Sequence, residues 1–171
     1  MNAHALAHRP SLTITAGLIG NVMEWYDFAI YGYFAAILGK LYFPSEDPMI
    51  SLIAAFGTFA VGFLTRPLGG LLLGRLGDTH GRQKALSLSV LCMAVPTMLI
   101  ACIPTYDHIG VWAPVLLILM RVIQGLSVGG EYTSSLVFLA ENSAQNQKAY
   151  TCIWGLWGAV LGMLLGSVVG W

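Results

Sequence analysis

Two carboxylates three residues apart, Glu24 and Asp27, stand inside an otherwise apolar run, in the stretch GNVMEWYDFAIYG. Arg121 and Glu131 stand in a second such run. An ionisable side chain at the centre of a membrane span costs about 2.5–3.5 kcal/mol on insertion scales. Groups kept at that cost face a partner, a protein interior or a water-filled cavity, where they can carry protons or hold a polar solute. Helical spacing puts Asn21, Glu24, Asp27 or Phe28, and Tyr31 on one face. The same spacing puts Arg121, Gln124, Val128, Glu131 and Ser135 on one face of the second run.

Depth suggests a partnership. Asp27 and Arg121 both lie about 15–17 Å below the same end of their spans, at about 1.5 Å per residue. An Asp27–Arg121 pair is expected, with Glu24 about one turn deeper. Such a pair can simply lock two helices together. Three acids against one arginine leave Glu24 and Glu131 over, and these are read as proton carriers or solute contacts. Trp25, Tyr26 and Tyr31 are candidate solute aromatics, since a ring face attracts a quaternary ammonium; packing is the other reading of all three.

The elements that position these groups follow from composition. The chain has 171 residues, 57% hydrophobic and only 9% charged, with zero net charge. Soluble domains carry about 25% charged residues, so this is an all-α membrane protein. Zero net charge gives no reason to expect a nucleic-acid partner. Cys92, Cys102 and Cys152 form no paired motif. No loop offers a catalytic set, so neither enzyme activity, a cofactor nor a metal is expected. His4 and His8, four apart, lie in the N-terminal tail.

Five apolar runs have the length of a membrane span: residues 12–38, 50–73, 85–103, 111–140 and 150–171, after a tail of residues 1–11. Arg9, Arg75, Arg82, Lys84 and Lys148 fall on one side and only Lys40 on the other. That asymmetry puts the N-terminus in the cytoplasm. In the fifth run Gly155, Gly158, Gly162, Gly166 and Gly170 make a ridge for close helix approach. The chain stops within that run, at Trp171, as expected of part of a larger protein.

Two further segments stand out. Arg66, in FLTRPLGG, lies in the inner half of the second span and is read either as snorkelling to the cytoplasmic surface or as a gate residue near Glu131 or the following loop. That loop, GRLGDTHGRQK, sets Gly74, Gly77 and Gly81 around Asp78 and Arg82. The opposite charges four apart form a clip that can hold neighbouring helices and release them; a plain positive anchor is the simpler reading.

The loop resembles the segment between spans two and three of the major facilitator superfamily, G-x-x-x-D-x-x-G-R-[KR], with Gly74, Asp78, Gly81 and Arg82 matching and Gln83 departing. RVIQGLSVGGEY resembles that superfamily's span-four pattern through Arg121, Gln124, Gly125 and Gly129. With GNVMEWYDFAIYG and FLTRPLGG, the chain is most similar to the metabolite:proton symporter branch, and within it to the proline/betaine osmolyte carriers, with dicarboxylate carriers close behind. The resemblance implies the first five helices of a twelve-helix fold, in a multi-pass protein of the bacterial inner membrane. It implies a proton-coupled symporter importing a small polar solute by alternating access. Its partners would be the solute, protons, the lipid bilayer and the C-terminal half of the same fold. Asn21, Glu24, Asp27, Arg121, Gln124 and Glu131 would serve proton coupling and solute, and Gly74, Asp78, Gly81, Arg82 and Arg66 the cytoplasmic gate. The other reading is a standalone five-span interaction protein or a non-functional truncation product.

Overall fold

The computed structural model describes residues 10–141 and 148–171, with side chains at 18–129, 150, 153, 154 and 156–171. The tail at residues 1–9 and the side chains of Glu131, Lys148 and Cys152 lie outside the described residues. The chain runs α1 (Pro10–Tyr42), α2 (Pro48–His80), α3 (Arg82–Ile100), α4 (Tyr106–Ile109), α5 (Trp112–Glu141) and α6 (Lys148–Gly170). Among the described residues there is no strand.

Local chemistry sets the helix ends. Asp47 caps α2 by accepting the Met49 N–H at 2.8 Å, and Pro48 opens the helix where no N–H is needed. The loop expected over residues 74–84 is mostly helix. α2 continues through His80 and α3 starts at Arg82, so Gly81 alone makes the turn, at φ 97°. An apolar run marks the extent of the membrane, whereas hydrogen bonding marks the extent of the helix. Nothing between Gly74 and His80 breaks the ladder until the left-handed residue that glycine tolerates.

α1 packs chiefly on α6, α2 on α5, and α3 on α5. Small residues permit the closest of these approaches. A Cβ at Gly162 would fall on the backbone of Val22 and Tyr26, and one at Gly166 would lie 2.5 Å from the Ala29 methyl. The glycine ridge of α6 thus seats α1. On α5, a Cβ at Gly125 would strike the Gly62 carbonyl oxygen, and one at Gly129 the Arg66 carbonyl oxygen, both on α2.

The burial pattern is the reverse of a water-soluble bundle. Asn21, Ser89, Ser127 and Gln124 are at most 3% exposed, while Leu64, Met98 and Val168 are 69–77% exposed. Lipid requires polar groups to be satisfied inside the protein and tolerates apolar groups outside. Among the described residues, three helices are long and apolar enough to cross a membrane: α2, α3 and the Trp112–Gly129 part of α5. The apolar stretch Leu156–Gly170 of α6 is shorter. At one end of the bundle, Tyr42, Ala113 and Leu117 form an apolar cluster, where the Tyr42 hydroxyl donates to the Ile103 carbonyl at 3.0 Å.

Candidate functional site

The polar face of α1 turns inward against α2 and α5. Asn21, Glu24 and Tyr31 are 0%, 4% and 1% exposed. Arg121 of α5 donates from Nη1 to Asp27 Oδ2 at 2.5 Å, with both side chains nearly enclosed. Its guanidinium also lies 4.1 Å from the Tyr31 ring centroid. Tyr31 is itself fixed: its hydroxyl donates to the Ala55 carbonyl of α2 at 2.8 Å, and its ring stacks on Phe59 at 5.1 Å. Asp27, Arg121, Tyr31 and Ala55 thereby tie three helices together at one level.

Arg66 occupies a place that spacing along α2 did not reveal. It turns toward α1, not toward the Gly81 turn, with Nη1 3.6 Å from Glu24 Oε1. Its guanidinium lies 3.9 Å from the Phe63 ring centroid and 4.7 Å from that of Phe28. Close contact of α2 with Gly125 and Gly129 of α5 sets the rotation of α2 that aims Arg66 this way. Among the described residues its charged partner is Glu24, while Glu131, near which a gate role was expected, has its side chain outside them. Phe28 and Phe63 carried a signal that was available: an aromatic three residues before Arg66 and another four residues after Glu24 share their faces.

Two cavities adjoin these pairs. One of about 20 Å³ lies among Asp27, Arg66, Arg121 and Gln124, enough for about one water. The other, about 500 Å³, is lined by Glu24, Trp25, Phe63, Arg66, Pro67 and Gly70, with Val128 and Gly129. Trp25 therefore lies on a cavity wall. Tyr26 meets α6 through its backbone, beside Gly162 and Gly166. Tyr31 is spent on Arg121, Phe59 and Ala55. Gln124 donates to Thr97 of α3 at 2.8 Å, and Ser127 donates to the Ser89 carbonyl at 2.5 Å, extending the polar seam. Thr97 was not expected in the site, because a hydroxyl in an apolar helix commonly bonds its own backbone, as Thr97 does to the Met93 carbonyl while accepting from Gln124; Ser89 joins through its backbone carbonyl.

Away from this centre, Arg82 and Asp78 pair at 2.7 Å across the Gly81 turn, both partly open to solvent. The Arg82 guanidinium also packs over Gly77, where it would lie 3.2 Å from a Cβ. The structure does not bring this clip to the buried pairs. The Glu131 backbone belongs to α5, while its side chain lies outside the described residues.

Apolar outer surfaces, enclosed ion pairs and a mostly apolar cavity that carries Glu24 and Arg66 on its wall define a multi-pass membrane protein with an internal charged site. The chain belongs to the family described as sugar (and other) transporter, which it matches over residues 12–171. It is 48% identical to the proline/betaine transporter of Escherichia coli (strain K12) over 91% of this chain and 31% of that protein. It is 47% identical to the glycine betaine/proline/ectoine/pipecolic acid transporter OusA of Dickeya dadantii, with the same coverage. It is 42% identical to the alpha-ketoglutarate permease of Escherichia coli (strain K12), over 88% of this chain and 35% of that protein. The chain thus spans about a third of the length of these relatives, at their N-terminal part. No solved structure matches.

Proposed function

We propose that this chain contributes the first helices of a proton-coupled secondary transporter for a small carboxylate-bearing solute. α1, α2, α3, α5 and α6 would be five spans of a twelve-helix fold in the bacterial inner membrane, with the N-terminus in the cytoplasm. The observation that carries the reading is the pair of buried ion pairs, Asp27–Arg121 and Glu24–Arg66, beside a cavity of about 500 Å³. Proline, betaine, ectoine, pipecolic acid and alpha-ketoglutarate, in the names of the relatives, all bear a carboxylate.

In this reading Asp27 and Arg121 bind α1 to α5 through the transport cycle. Glu24, with Glu131, supplies the carboxyls that take up and give back a proton, and the buried Asn21 and Gln124 support them. Trp25 offers an aromatic face to a cationic solute. The Asp78–Arg82 clip, with Gly74 and Gly81, holds the cytoplasmic end closed until the helices rearrange. Solute would bind between this part and an opposing half of the fold.

The test is uptake of labelled proline, betaine and 2-oxoglutarate by cells expressing the full reading frame that encodes this chain. Uptake should depend on an imposed proton gradient, and Glu24→Gln should remove that dependence. Uptake indifferent to both would take Glu24 out of the coupling and overturn the proton-coupled reading.

A further inference from the structure

We propose that Arg66 is the group that recognises the carboxylate of the solute, and that Glu24 holds its place when no solute is bound. This rests on the transporter reading and adds the residue that selects the solute's chemistry.

The two ion pairs differ in a way that points to Arg66. The Glu24–Arg66 contact, at 3.6 Å, is longer than the 2.7–2.9 Å usual for a charge-assisted hydrogen bond. Glu24 Oε2 and Arg66 Nε have no hydrogen-bond partner among the described residues, although Glu24 is only 4% exposed. Both residues line the larger cavity. Phe63 and Phe28 hold the guanidinium by its face, at 3.9 and 4.7 Å to their centroids, and so leave its N–H edge unspent. A guanidinium edge matches a carboxylate as a planar fork. Arg121 Nε is likewise without a hydrogen-bond partner, but its Nη1 is committed to Asp27 at 2.5 Å, and the cavity beside it holds only about one water.

Exchange at Arg66 also accounts for a proton. When the solute carboxylate takes the guanidinium, Glu24 is left as a buried carboxylate without its cation, which is costly. A proton on Glu24 removes that charge. Among the described residues, the charged groups facing this region are Arg66 from α2 and, one turn along α1, Asp27, which Arg121 of α5 already neutralises; the Glu131 side chain of α5 lies outside them. α3 and α6 bring no described charged side chain to the cavity wall. One proton would therefore enter with each carboxylate bound at Arg66.

The experiment titrates the full-reading-frame protein, in lipid nanodiscs, with betaine, proline and 2-oxoglutarate, and with choline as a probe that lacks the carboxylate. Wild type should prefer its best carboxylate probe to choline by about 30-fold or more, the scale of a buried charge-pair contact. That binding should weaken as pH rises. Glu24→Gln should keep the preference and lose the pH dependence. Arg66→Gln should abolish the preference. The double variant Glu24→Gln/Arg66→Gln should abolish it too, without leaving an orphaned charge to disturb folding. A double variant that still prefers the carboxylate probe, or a wild type that binds choline equally well, would overturn the role of Arg66 and leave the transporter reading standing. Failure of wild type to bind any of the four probes would overturn both.

Discussion

Asp27–Arg121 and Glu24–Arg66 are neighbouring ion pairs built on the same face of α1, yet only the first is closed. Arg121 meets Asp27 at 2.5 Å, with the two side chains 7% and 12% exposed, and rests on a tyrosine that is itself pinned to α2. Arg66 meets Glu24 at 3.6 Å, remains 27% exposed and borders a cavity. The Asp27–Arg121 pair also leaves Arg121 Nε without a partner, but the space beside it holds only about one water. The looser Glu24–Arg66 pair borders room for a solute. An acid and an arginine thus make a close pair in one place and a looser pair beside a cavity one helical turn away. What separates them is the room left by the neighbouring helices.

The largest test of that contrast is Arg121→Ala. It leaves Asp27 buried without a cation and should cost about 3–5 kcal/mol, read as a lower thermal midpoint in detergent. Asp27→Asn/Arg121→Gln removes both charges and should recover much of that loss. A single variant as stable as wild type would deny that the pair is a joint. Next comes Gly129→Ala on α5. Its methyl would run into the Arg66 backbone, and overpacking of this kind costs about 1–3 kcal/mol. Because this contact sets the rotation of α2, the same variant should weaken carboxylate binding as well as stability.

Glu24→Gln should do less to stability, about 1 kcal/mol, the scale of an ordinary hydrogen bond, since Arg66 keeps its aromatic contacts. A drop as large as that of Arg121→Ala would erase the distinction between the two pairs. The smallest effect is expected at Asp78→Asn. The Asp78–Arg82 pair is solvent-facing, with Asp78 65% exposed, and exposed pairs contribute about 0–1 kcal/mol. If the clip acts as a gate, that variant should alter the uptake rate far more than the thermal midpoint.

Much of this was legible along the chain. The membrane class followed from scarce charge, and the helices from long apolar runs, because a lipid environment leaves the backbone few other choices. The match in depth between Asp27 and Arg121 followed from the fixed rise of a helix. The segment at residues 74–84 read as a loop because its polarity was clear, but polarity reports the solvent around a residue and not its hydrogen bonding. α2 runs on to His80 and the chain turns at Gly81 alone.

The partner of Arg66 was not legible. Residue types and a 3.6-residue period tell which side chains share a face, but they leave open which way each helix is turned in the bundle. That rotation is set where backbones touch: Gly125 and Gly129 against Gly62 and Arg66, and the glycines of α6 against α1. The sequence alone specified a set of membrane helices with acids and arginines on their inner faces. Which acid closes on which arginine, and which pair is left open beside a cavity, depended on packing between residues far apart in the chain.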